Sequence, residues 1–318
     1  MVGRRKRLIA AESGLRAAMR RMGHTAIIID DRKLRQRIGR DAGSEWLRWR
    51  VRLFRPDRVI FFKNHDANLD VVREIARRTP SSLWYRDIDD PLDPAIVARA
   101  AAVDSPFITA GGQLAQYRAA GVRNPQWLPN AADAVTDNPV APDPSLACDV
   151  AFMGRAVWRK DDLSRLEFLL ELARHFHVRV WGQEWERWAN ELNWDGTAAY
   201  GEKFARICAT AKIVLDVQPA VWFRVRDEYY SSNRMVKAMA CRGFVLGQGG
   251  RELRRLFREE AHCGWFGTND EAFGQIEKYL VHDALREAAR EAGYRHVRQH
   301  HMMENRVHNL ITGAPFEP

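Results

Sequence analysis

Short apolar runs alternate with amphipathic stretches along this 318-residue chain, and no other feature narrows its fold as much. The first such runs are Ala26-Ile27-Ile28-Ile29, Arg58-Val59-Ile60-Phe61-Phe62 and Ser82-Leu83-Trp84-Tyr85. They are too short for helices and too uniformly apolar for strands with one wet face, so they predict strands covered on both sides. Between them lie a stretch carrying Trp46, Leu47 and Trp49 and the periodic segment Leu69–Arg78, both expected to be helical. Strand, helix, strand in repetition predicts parallel βαβ units and an α/β fold. Ahead of them, Arg7–Ala10 is expected to begin a strand and Leu15–Met19 to be helical, with Gly23 closing that helix.

The pattern stops and then restarts. Asn130–Ser145 is rich in Pro, Ala and Asp, has no periodicity, and reads as an inter-domain linker. Beyond it come strands at Val150–Met153, Val178–Trp181, Ile213–Asp216 and Phe244–Leu246, with helices at Arg165–His175, Tyr200–Cys208 and Arg234–Cys241. Two domains are therefore expected, residues 1–145 and 146–318.

No run of apolar residues reaches transmembrane length. The basic start, MVGRRKRLIAAESG, has too short an apolar run for a signal peptide. Cys148, Cys208, Cys241 and Cys263 are widely spaced, which points to buried thiols in a reducing, cytoplasmic compartment. They form no zinc spacing, and His300-His301 reads as a packed helix end, so no metal site is expected. Charge is unevenly placed. Residues 1–145 carry 25 Lys+Arg against 17 Asp+Glu, whereas the remainder is nearly balanced at 25 against 24. Such an excess bears on partners, not on fold.

The densest chemical signal is SSNRMVKAMACRGFVLGQGGRELRRLF, Ser231 to Phe257. A polar loop opens a helix, a buried strand follows, and a Gly-rich turn opens another helix. Helix N-termini offer free backbone N–H groups to anions, and glycine lets the backbone come close to a ligand. Ser231, Ser232, Asn233 and Arg234 are thus one phosphate-binding candidate, and Gly249 and Gly250 with Glu252 another. Simple capping and a tight turn are the structural alternatives.

The wording NRMVKAMACRGFVL, ELRRLF and DEAFGQIEKYLVHDALREAAREAGYRHVRQHH resembles the C-terminal half of group 1 glycosyltransferases, nearest to spore-maturation CgeB-type proteins. The resemblance continues through CDVAFMGRAVWRKDDLSRLEFL, VRVWGQEW and ATAKIVLDVQ, and more loosely through GHTAIIID, RPDRVIFFKN and SLWYRDIDDP. It implies a GT-B fold, two Rossmann-like domains facing across a cleft, with the last helix, near Glu304–Leu310, crossing back to the first domain. It implies a nucleotide-sugar donor held by the second domain without a required metal or other cofactor. On that resemblance Gly154, Arg155, Arg159 and Lys160 form a diphosphate-binding loop, and Trp181 and Gly182 lie at a strand end beside the donor.

One departure stands out. Retaining members of the family carry two glutamates eight positions apart, the second on the donor ribose. The matching residues here are Tyr229 and Lys237, with Glu228 one place away from the first. An ammonium cannot accept a hydrogen bond from ribose. A base for an inverting reaction is sought among Asp89 and Asp90 of the Asp-Asp-Pro turn, with Glu12 and Asp66 as rivals.

The function expected is hexosyl or pentosyl transfer to a hydroxyl. The basic first domain suggests an anionic acceptor, either a hydroxylated base in DNA or an anionic cell-surface glycan. A non-catalytic nucleotide-sugar-binding or scaffold protein of the same fold is the alternative, which Lys237 favours.

Overall fold

A computed structural model describes residues 1, 11–30, 36–62, 68–156, 162–218 and 232–318. The chain divides into two compact units, Met1–Asp133 with Met303–Pro318, and Ala134–Met302. Each is built on a parallel sheet.

The first unit begins with α1 (Ala11–Arg21) and α2 (Arg40–Phe54), then β1 (Val59–Phe62), α3 (Leu69–Arg78), β2 (Ser81–Tyr85), α4 (Pro94–Ala100), β3 (Ser105–Ile108), α5 (Leu114–Ala119) and β4 (Gln126–Trp127). The strands lie in the order β1-β2-β3-β4. Every residue of β1, β2 and β3 is buried, as their apolar runs require. Local chemistry sets the helix starts. The Asn68 side chain accepts from the Asp70 N–H, and Asp93 caps α4 with Pro94 in its first turn. Ala26 and Ile29 are buried, yet this run is not a sheet strand: Ile29 N–H donates to Met1 O, and the Met1 amine to Ile27 O. Arg7–Ala10 lies outside the described residues.

The core of this unit gathers Leu15, Phe62, Trp84, Phe107 and Leu128, together with Met303, Val307 and Leu310 of α12 (Met303–Thr312). Trp84 keeps its indole N–H satisfied by Thr109 Oγ1 and Leu128 O. Arg306 anchors α12. Its guanidinium is fully buried, donates to Pro129 O and Asn130 O, and lies 4.6 Å from the Phe316 ring centroid. Burial pulls its pKa down to about 9.

The second unit holds β5 (Val150–Met153), α6 (Ser164–Ala173), β6 (Val178–Trp181), α7 (Glu202–Thr210), β7 (Ile213–Asp216), α8 (Asn233–Ala240), β8 (Val245–Gln248), α9 (Arg251–Leu256), β9 (Gly264–Phe266), α10 (Asn269–Val281) and α11 (Asp283–His300). Its strand order is β6-β5-β7-β8-β9. The core runs through Phe152, Leu169, Val180, Trp185, Leu215, Phe244 and Tyr279. Cys148, Cys208, Cys241 and Cys263 are buried free thiols, and burial pushes Cys148 and Cys241 up to about 12.

The units part at Asp133 and Ala134, not at 145. The reason lies in the packing of the segment between. Asn130, Ala131, Ala132 and Asp133 are buried, and Ala132 O accepts from the Met303 N–H. Further along, Asp137 is buried and Asp143 N–H donates to Thr210 Oγ1. Composition predicted a loose linker. The polar groups of this stretch instead find partners and pack.

Candidate active site

In the second sheet β5 has β6 on one side and β7 on the other, so the winding direction reverses between β5 and β7. At such a reversal the loops leaving adjacent strands turn apart and open a crevice beyond their carboxyl ends. A cavity of about 460 Å³ lies there, within the second unit. Gly154 and Arg155 after β5, Gly182 and Gln183 after β6, Gln218 after β7, Tyr200 and Gly201 ahead of α7, and Ser232, Asn233, Arg234 and Lys237 of α8 line it.

Two glycines let its floor close. An ideal Cβ on Gly182, whose φ is +150°, would lie 1.7 Å from Gly154 O. A Cβ on Gly154 would lie 2.9 Å from both the Arg234 guanidinium and the Phe152 ring. The β5 and β6 exits are stitched by Gly154 N–H to Trp181 O at 2.8 Å and by Trp185 Nε1 to Gly154 O at 2.9 Å. Trp181 lines the cavity with only 1% of its surface exposed, its Nε1 donating to Asp195 Oδ2.

Cationic groups converge above this floor. Arg234 Nε donates to Met153 O at 2.6 Å, and its Nη1 pairs with Asp216 Oδ1 at 2.6 Å. Its guanidinium lies 4.5 Å from the Phe152 ring centroid, and that of Arg165 lies 5.2 Å away. Arg165 Nη2 donates to Arg155 O at 2.5 Å. Burial, then the nearby Arg234 charge, lowers the Arg165 pKa to about 10. Arg155 reaches outward to Glu184 at 2.5 Å. The Ser232 side chain caps α8 by accepting from Arg234 N–H at 3.2 Å, which aims the helix N-terminus at the cavity. Lys237, one turn along, pairs with buried Asp137 at 3.1 Å. The lysine standing at the family's glutamate position thus answers a carboxylate that this chain supplies from the segment before β5.

The structure therefore brings together Gly154, Arg155, Trp181, Gly182, Ser232, Asn233, Arg234 and Lys237 from the sequence reading. Arg159, Lys160 and Ser231 lie outside the described residues. Gly249 and Gly250 are not among the lining residues. Gly249 instead packs on Trp265, where a Cβ would approach the ring to 2.5 Å. Sequence reasoning missed Arg165 and Asp216 as members of the site. An aspartate ending the wholly apolar run Ile213-Val214-Leu215 was the available signal for the latter.

The acids proposed as base belong to the first unit. Asp89 Oδ2 accepts from Tyr85 OH at 2.5 Å, and burial, reinforced by that carboxylate, raises the Tyr85 pKa. The Asp89 carbonyl accepts from Gln113 Nε2. Asp90 is exposed and precedes Pro91 through a cis peptide bond. Glu12 is buried in the first turn of α1. Asp66 lies outside the described residues. Among the described residues no cluster of three or more His, Cys, Asp or Glu could hold a metal ion, and no helix is long and apolar enough to cross a membrane.

Residues 159–312 match the family model described as glycosyl transferase-like. No curated protein matches the chain in sequence. Solved structures match it in fold. Alr3699/HepE of Anabaena, in complex with UDP-glucose, superposes with a TM-score of 0.66 at 12% identity, over 98% of each chain. A glycosyltransferase of Rickettsia africae gives 0.66 at 9% identity, over 97% of this chain and 95% of that one. An alpha-glucosyltransferase in complex with UDP-glucose and DNA containing an abasic site gives 0.56 at 10% identity, over 85% and 84%.

Proposed function

We propose that this chain, whose residues 159–312 match a glycosyl transferase-like family model and whose fold is that of GT-B glycosyltransferase structures, moves a sugar from a nucleotide-sugar donor to an acceptor hydroxyl. One observation carries the reading: a cavity at the winding reversal of the second sheet, with glycines on its floor and Arg165, Arg234 and a helix N-terminus above. Anions gain most where fixed donors already point, because no reorganisation is needed when charge develops.

In the transfer, the acceptor hydroxyl oxygen bonds to the anomeric carbon as the bond from that carbon to the diphosphate oxygen breaks. The electron pair leaves with the nucleoside diphosphate. Arg234 and the α8 N-terminus stabilise that leaving group, and Arg165 adds positive charge beneath it. These groups supply the charge a divalent ion would otherwise bring, so transfer proceeds without metal. Asp89 or Asp90 takes the acceptor proton in an inverting reaction. UDP-hexoses are the first donors to try, since HepE holds UDP-glucose.

The acceptor is anionic in this reading. The charge excess of residues 1–145 supports it, and the neighbour bound to DNA makes a hydroxylated DNA base the first acceptor to test, ahead of an anionic cell-surface glycan. The buried thiols are in keeping with work in the cytoplasm. The second reading, binding without turnover, draws on the Lys237–Asp137 pair, where the resemblance leads one to expect a ribose-binding glutamate.

The test is a thermal-shift panel of nucleoside diphosphates and their sugars, with EDTA or magnesium, followed by diphosphate release on hydroxymethylated DNA and on anionic glycans. One nucleotide raising the midpoint in EDTA, with release dependent on acceptor, is the expected result. A clear shift with no release from any acceptor selects the non-catalytic reading. A flat panel overturns the donor site.

A further inference from the structure

Among the described residues, nothing covers one face of helix α2. Trp49, Leu53 and Phe54 are 53%, 57% and 45% exposed. At about 100° per residue, Trp46, Trp49 and Leu53 form one stripe, while Phe54 stands beyond Arg50, near the line of Leu47, and is exposed at the C-terminal end of the helix. The Arg50 guanidinium lies 5.0 Å from the Trp46 ring centroid and 4.3 Å from that of Phe54, bracing the aromatic rings as a platform. Isolated exposed apolar residues are ordinary, but a contiguous group of large ones on one helix marks a contact surface.

Next to the stripe on the helix wheel lies a basic edge. Arg48, Arg52 and Arg55 join Arg78 of α3 around a groove of about 440 Å³. Two carboxylates answer these arginines: Glu74 pairs with Arg48 at 2.7 Å, Arg52 at 2.9 Å and Arg78 at 3.4 Å, and Glu45 also pairs with Arg48. The four guanidinium groups leave an excess of positive charge at the rim of an apolar strip. The opposite side of α2 holds Leu47 and Ser44 buried in its own unit, so the helix is fixed with this face outward.

We propose that this face of α2 docks on an anionic phospholipid surface. Trp49, Leu53 and Phe54 enter the boundary between headgroups and acyl chains, and the arginines meet the phosphates. The apolar residues choose among polyanions. A nucleic-acid backbone would satisfy the arginines and leave Leu53 in water, whereas a bilayer interface uses both halves of the pattern. A second copy of the same face would oppose arginine to arginine. The proposal goes beyond the glycosyl-transfer reading and does not depend on it.

Flotation of the full chain with phosphatidylcholine vesicles, with and without one quarter phosphatidylglycerol, tests it. Binding is expected to anionic vesicles only, weakening as salt rises. Trp49→Ser with Leu53→Ser should lower the partition coefficient at least about tenfold. Arg52→Gln should lower it several-fold and flatten the salt dependence. That second variant keeps the test decisive where the first fails to fold, with far-UV circular dichroism as the check. No binding to anionic vesicles, or equal binding to neutral ones, overturns the proposal. So does a gel shift of duplex or single-stranded DNA that the Trp49→Ser/Leu53→Ser variant loses while vesicle binding persists, or a dimer that the same variant dissolves.

Discussion

At Lys237 a single side chain reverses the charge expected from the family resemblance, and the structure gives the reason. Its ammonium lies 3.1 Å from Asp137, whose side chain is 2% exposed. Restoring the glutamate would set a second carboxylate against the buried one of Asp137. Lys237→Glu should therefore destabilise the protein by about 3 kcal/mol, and add no activity. Urea denaturation of Lys237→Glu and of Lys237→Glu with Asp137→Asn separates the causes. The double variant should recover most of the loss, because the clash is between those two charges. If the double variant is as unstable as the single one, the pair is not what holds Lys237 in place. Only half of this was visible in the sequence. The departure at Lys237 could be read, but Asp137 lies a hundred positions earlier in a stretch that composition marks as linker. Gly182 is similar. Its place at a strand end was legible, whereas the 1.7 Å approach to Gly154 O that excludes any Cβ is a fact of two strands meeting.

Among the elements, most of those predicted by apolar runs are present: β1, β2, β5, β6 and β7 fall within a residue of their expected positions and α3 spans Leu69–Arg78 as expected, whereas Ala26–Ile29 forms no sheet strand. The runs were informative because β1, β2, β5 and β7 are buried throughout and β6 at every residue but Arg179. The elements that were not legible lack that signature. β4 has two half-buried residues, and β9 depends on Gly264, where a Cβ would meet Tyr279 at 2.7 Å. Of the turn expected at Gly247–Gly250, Gly247 and Gln248 instead complete β8, and the glycines at 247 and 249 make room for Trp265 rather than line the cavity. α8 is where element and site coincide. Ser232 both caps it and lines the cavity, so two substitutions distinguish the roles. Ser232→Ala should cost about 1 kcal/mol in urea denaturation, the usual value of a lost cap. Ser232→Asp caps equally well and should keep that stability, yet it puts a negative charge where the diphosphate would bind. Its nucleotide affinity, measured by calorimetry, should fall at least about tenfold. Equal affinity in wild type and Ser232→Asp would remove the diphosphate from this end of α8.

For the whole molecule, acid is the most revealing stress, because two effects act in the same direction and can be separated. The chain carries a formal charge of +9 with its ten histidines neutral, so their protonation adds to existing self-repulsion. That effect is long-range and weakens with salt. The second is local. The rings of His262 and His296 stack with centroids 4.2 Å apart, with those of His300 and His301 about 5 Å from His296. His262 Nδ1 accepts from the Arg258 N–H at 3.2 Å, so a proton there would face that donor. Burial first, then His296 and Arg258, lowers the His262 pKa to about 4 from 6.5. Burial lowers that of His296 as well. The unfolded chain thus binds protons that the folded one refuses. Stability from these groups is complete above pH 6.5 and drains away as pH falls toward 4. Urea midpoints from pH 7.5 to 4, at low and at high salt, should show a fall that salt only partly relieves. In His262→Asn the amide oxygen can still accept from Arg258 while nothing titrates, so the salt-resistant part of the fall should shrink. If high salt abolishes the acid loss in the wild type, repulsion across the basic chain is its cause and the histidine stack contributes nothing to it.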